Sequence, residues 1–232
     1  MAIENSLIFY PKKFHIDFEI AVIEALKIVF PHSEIKGCLF HFSQCIWRKI
    51  QKYGLVKDFN ENKEMRTIIK QVTVLPFLPL ENITDAWLKI FEKVDRENGK
   101  LTEFMDYACR TWVNEDGKFE RKMWNHFQNY KIRTTNSIES WHSKLQKAAS
   151  KRHLNVYEFI LLLKNQQLIF ENEIAFLDVG HTPTAKRQKY RQIDEKIERL
   201  TNQYLRGLKN DLTFLETVGY SFKLGKKYKD KE

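Results

Sequence analysis

Glycine and proline are scarce, eight and five in 232 residues. Turns depend on these two residue types, so their scarcity leaves long helices to dominate the chain. Cysteine occurs three times, an odd count that does not read as a disulfide framework and points to a reducing interior. No apolar run reaches the length of a membrane-spanning helix. The opening MAIENSLIFYPKK is acidic and aromatic, unlike a signal peptide. These absences predict a soluble, intracellular protein with no membrane partner. Acid is locally missing as well: residues 140–157 contain no Asp or Glu.

What is present fits a globular protein. Hydrophobic content of 43% with 13% aromatic argues against disorder, and the length allows one large domain or two small ones with a sizeable core. The net charge of +9 makes an acidic partner the expectation, with nucleic acid the first candidate.

Along the chain, residues 12–17 read as a brief strand. A helix over 18–30 follows, with Ile20, Ile23, Leu26, Val29 and Phe30 at helical spacing and Pro31 stopping it. Residues 34–40 read as a second strand, and 41–53 as a helix ended by Gly54. Strand, helix, strand, helix in so short a span predicts a parallel pair, because that connection needs a crossover. From 57 to 129 only helical periodicity is visible, interrupted at LPFLPLEN and near 98–99, with Trp87, Trp112 and Trp124 as core bulk. Further helices are expected from about Asn136, over 156–177 (Phe159, Leu162, Leu163, Ile169, Phe170, Leu177) and over 185–210 (Ile193, Ile197, Leu200, Tyr204, Leu208). The lysine-rich tail 223–232 is expected to fray.

Several residues could carry chemistry, and each has a structural alternative. Asp17, between a strand and a helix, reads either as an N-cap or as a metal-ligating carboxylate at a strand's carboxyl end. Glu139 reads either as the far end of a capping box with Asn136 or as another such ligand. Cys38, His41 and Cys45 have a spacing that could serve one zinc ion, although a structural site usually needs four ligands; the alternative is small buried apolar residues. Lys144, Lys147, Lys151 and Arg152 make a basic stripe that is either a solvated face or a phosphate-binding surface.

Three stretches taken together settle on a resemblance. DFEIAVIEALKIVFPHSEIKGCLFHFSQCIWRKIQKYGL, LPFLPLENITDAW and RTTNSIESWHSKL resemble, in that order, segments of the Mutator-like element (MULE) transposase domain, over about residues 11–170. The resemblance implies a truncated RNase H-like α/β core of the DDE type, mainly α with a small β remnant and an all-helical insertion. On that reading residues 1–56 are a partial core, 57–130 the insertion, 131–178 the last core helices and 179–232 a C-terminal helix with a basic tail. It implies three acids holding two Mg2+ or Mn2+ ions for phosphoryl transfer to or from DNA, with Asp17 as the second acid, Glu139 as the third, and Cys38 and His41 as the family's Cys-x-x-His signature. Asp17 and Glu139 are then expected to meet in space. Hard carboxylate oxygens suit Mg2+ and thiolate does not, so Cys38 is not expected on those ions. The first acid and the opening strands have no counterpart before Asp17, so the resemblance implies the C-terminal part of a transposase, inactive alone. The implied setting is nuclear, the partner DNA at transposon ends, and self-association is open; a non-catalytic DNA- or protein-binding module, or a zinc-stabilised interaction protein, are the alternatives.

Overall fold

The computed structural model describes residues 9–95, 97–130, 133–149, 151, 153–182, 188–222 and 224. Among them the chain is mainly helical, with one two-stranded parallel sheet. β1 (Lys13–Ile16) pairs with β2 (Glu34–Gly37), Lys13 opposite Glu34 and Ile16 opposite Gly37. α1 (Ile20–Val29) is the crossover between them. The second strand is shorter than its apolar run suggests. The Cys38 N–H still reaches Ile16 O at 2.8 Å, but the Leu39 N–H turns to Arg133 O at 2.8 Å. There α2 (Leu39–Lys52) begins with Cys38 in the capping position. Gly54, at φ +68°, ends that helical stretch as its sequence position predicts.

The helical stretch that follows comprises α3 (Val56–Glu61), α4 (Lys63–Thr73), α5 (Ile83–Phe91), α6 (Gly99–Ala108) and the single turn α7 (Arg121–Trp124). Asn62 and Asn98 cap α4 and α6, their side chains accepting from the N–H groups of Met65 (3.1 Å) and Leu101 (3.0 Å). The interruption at 98–99 is therefore a helix start. LPFLPLEN folds as two 3-10 turns, Leu75–Phe77 and Leu80–Asn82, that bury Leu75, Phe77 and Leu78. A π-helical turn, Cys109–Val113, delivers Trp112 to the core beside Phe42 and Phe119. Trp87, Trp112 and Trp124 are buried, as expected.

The chain forms two compact units, Met1–Thr134 with Ile193–Glu232, and Thr135–Gln192. The first holds the buried core. The unit boundary falls within α10 (Gln188–Leu205), whose Ile197 and Leu200 join that core. This helix is shorter than the 185–210 stripe: Gly207 turns the chain at φ +71° and Leu208 is exposed, while residues 185–187 lie outside the described set. An unexpected helix follows, α11 (Asp211–Gly219), capped by Asn210 and packed on α4 through Phe214, Leu215 and Val218. The tail expected to fray lies, Leu224 apart, outside the described residues.

The second unit contains α8 (Asn136–Ala148) and α9 (Val156–Asp178) and has no buried residue on either helix. α9 opens with a full capping box between Asn155 and Glu158. Ile160, Leu161, Ile169 and Phe170 are exposed on different sides of it, a surface typical of a helix surrounded by other elements.

Candidate functional site

The carboxyl end of β1 owes its shape to Phe18. Its ring packs on Trp112 (4.8 Å between centroids) and Phe119 (5.0 Å), and more loosely on Phe42 (6.5 Å). The same ring fills the space beside Gly37, where a Cβ would meet it at 2.3 Å. So Phe18 and Gly37 lock the ends of β1 and β2 against one aromatic cluster. Asp17, the residue before Phe18, is left facing solvent.

There Asp17 Oδ1 lies 2.8 Å from His41 Nδ1 on the first turn of α2. Asp17 does not cap α1; Glu19 holds that position, and no side chain accepts from the helix's first turn. Local sequence suggested the cap, but the carboxylate is drawn to a histidine 24 positions further along. Nδ1 is thus the imidazole nitrogen that lies beside the carboxylate.

Two polar side chains absent from the sequence-level site brace this corner. His126 is fully buried; its Nε2 bonds Gly37 O (3.0 Å) and its Nδ1 meets Asn129 Nδ2 (3.1 Å). The ring is thus the neutral tautomer with Nε2–H donating to Gly37 O. Burial, with the charge of Lys36 nearby, pushes its pKa down to about 3, the bond to Gly37 O only partly opposing this. Arg133, whose carbonyl receives the Leu39 N–H, buries its guanidinium over the Phe77 ring and pairs it with Asp194 of α10. The signal for His126 was available: a histidine in WNHF, among aromatics, is placed to be buried and must find hydrogen-bond partners.

The cysteines do not assemble a zinc site. None forms a disulfide. Cys38 is completely buried and His41 faces Asp17, while burial raises the pKa of the Cys45 thiol. Among the described residues no three His, Cys, Asp or Glu side chains are grouped to hold a metal. The pair at β1 offers one carboxylate and one imidazole, of which the carboxylate is the donor that suits Mg2+.

Glu139 lies in the other compact unit, in the first turn of α8. Its capping box with Asn136 is not formed: Asn136 is the first helical residue, and the Glu139 N–H bonds Thr135 O at 3.1 Å. The motif marks the right helix but places its cap one residue late, because Thr135 takes the cap position. Of the basic stripe, Lys144 and Lys147 are exposed on α8. Lys151 instead pairs with Glu158 at 2.8 Å, so its charge is partly spent within the chain. Arg152 lies outside the described residues.

Comparison with known proteins finds no matching family model, no matching curated protein and no matching solved structure. No helix among the described residues is long and apolar enough to cross a membrane.

Proposed function

We propose that the chain is a DNA-binding protein of Mutator-like transposase descent, with an RNase H-like core lineage. The observation that supports this reading is the meeting of Asp17 and His41 at the end of β1, with Cys38 capping the helix that carries His41. Three residues that the resemblance assigns to one place are neighbours in the fold. Asp17 and Glu139 are the acids matched here to the set that holds Mg2+ or Mn2+ in that family. The reading assigns phosphoryl transfer to the family and DNA binding to this chain. Binding runs through phosphate contacts, to which Lys144 and Lys147 contribute as exposed cations without an ion pair among the described residues.

A labelled terminal-repeat duplex tests both halves. Bound at low salt and weakened as salt rises, it supports the reading, and Lys144→Ala with Lys147→Ala reduces the slope of log affinity against log salt by about 0.9 for each lysine. Absence of binding at the lowest salt removes the DNA half. Cleavage of the duplex on adding Mg2+ overturns the reading of this chain as a binding protein alone.

A further inference from the structure

A second group of cations is built into the first compact unit, on residues the resemblance leaves unassigned. Lys63, Arg66, Thr67 and Lys70 recur on α4 at spacings that place them on one face. With Glu216 and Tyr220 of α11 they line a concavity of about 150 Å³. Three cations thus share one small space with a single carboxylate. Glu216 accepts a long hydrogen bond from the Tyr220 hydroxyl (3.5 Å) and makes no ion pair with the three among the described residues.

What holds these cations is backbone and packing. Arg66 Nε donates to Phe59 O at 2.7 Å, and Nη2 donates to Asn60 O, so the end of α3 braces the guanidinium. The Lys70 stem is clamped against Gly219, where a Cβ would come within 3.2 Å of Lys70 Cβ, and its ammonium sits 5.3 Å from the centre of the Tyr220 ring. Burial, and the charge of Arg66 beside it, lowers the Lys70 pKa. The cationic residues lining the concavity thus outnumber its one carboxylate, Glu216. Such charge, held in place before any ligand arrives, favours an anion.

Size narrows the anion. Pockets for whole small molecules run to about 300–1,000 Å³, so this concavity suits one tetrahedral group of a larger ligand that lies mostly outside. The exposed face of Tyr220, 60% accessible, sits at the same rim and offers a flat aromatic surface next to the cations. A phosphate beside a stackable ring is the repeating unit of a nucleic-acid strand, and the chain's net charge of +9 favours such a polyanion.

We propose that this concavity seats one backbone phosphate of a single-stranded nucleic acid, with Lys63, Arg66 and Lys70 around the phosphate and Tyr220 under the adjoining base. The assignment does not rest on the transposase reading.

The test is fluorescence anisotropy of the whole chain with a fluorescein-labelled decathymidylate over a salt series. Lys63→Gln with Lys70→Gln flattens the salt slope by about 0.7 for each lysine, the single-strand value. Tyr220→Ala leaves the slope in place and weakens binding about fivefold or more at every salt, as loss of one stacked base does. Lys63→Gln alone, at an exposed position opening α4, flattens the slope by about 0.7 without touching the packed Lys70 stem. The same changes made on the Lys144→Ala, Lys147→Ala background keep their effect, which separates this site from the α8 surface. An unaltered slope in the Lys63, Lys70 variant overturns the proposal, as does absence of decathymidylate binding at the lowest salt. Equal displacement of the strand by a phosphoserine peptide of matched charge also overturns it, assigning the seat to phosphopeptides.

Discussion

Lowering the pH from 6.5 to 4.5 is expected to destabilise the first compact unit through His126. The ring is neutral in the fold, with a pKa of about 3, against 6.5 in the unfolded chain. Between those values the unfolded state binds a proton that the folded state refuses, so stability rises with pH there and falls on acidification. Well below 6.5 each pH unit removes up to about 1.4 kcal/mol, so roughly 2–3 kcal/mol is lost by pH 4.5. Set against a total stability of about 5–15 kcal/mol for a typical domain, that is a large share. Urea unfolding followed by tryptophan fluorescence measures it as a drop of about 1 M or more in the midpoint, for a urea slope of about 1–3 kcal/mol per molar. The comparison is with His126→Gln, whose amide can still donate to Gly37 O and which does not titrate. His15, lowered by burial and by Lys13 and Lys36, acts in the same direction but stays in both proteins. Glu34 and Glu120, where lysine partners outweigh burial and lower the pKa, withdraw their contribution only below the ordinary carboxylate value of 4.5. The window from 6.5 to 4.5 therefore belongs to histidine. Equal pH dependence of the two proteins there, or an imidazole resonance of His126 titrating near 6.5 in the folded chain, refutes the reasoning.

Arg133→Ala leaves Asp194 without its guanidinium partner and strips the cation from Phe77; a loss of about 3–5 kcal/mol in urea unfolding is expected, and a loss under about 1 kcal/mol would place the pair in water. Gly37→Ala drives a methyl into the Phe18 ring and should cost about 1–3 kcal/mol, with altered tryptophan emission as Trp112 loses its edge contact. Millimolar Mg2+ is expected to leave the melting temperature unchanged, since one carboxylate and one imidazole make a poor seat for a hard ion; a rise of several degrees would reveal a binding site that favours the folded state.

The elements around the site were legible because their signals are local. Strand residues before Asp17, the proline after α1 and Gly54 after α2 each announce a boundary within a few positions. α8 and α9 were legible for the same reason. α11 was missed because its start, Asn210, lies where the apolar stripe of α10 seemed to continue through Leu208; Gly207 was the overlooked break. The role of Asp17 was only half legible. Its sequence neighbours permit a cap or a ligand, whereas its actual partner, His41, comes from the next crossover and enters only once β1 and β2 are paired. Arg133 and Asp194 lie 61 positions apart, and no periodicity links them. Lys151 looked available because its partner, Glu158, lies past the acid-free stretch, across the turn that opens α9.

The clasp of Phe18 and Gly37 bears on how related sequences are to be compared. A side chain at position 37 has nowhere to go, so selection for folding alone keeps glycine there, and keeps an aromatic at 18, whether or not the protein does any chemistry. Asp17 is under less such pressure: it is exposed, does not cap α1 and meets His41 at 2.8 Å. In a set of relatives, then, constancy of the glycine and the phenylalanine measures only that the fold has persisted. Constancy of the aspartate just before the phenylalanine, together with His41, records a pair still under selection, and its loss dates the end of that selection.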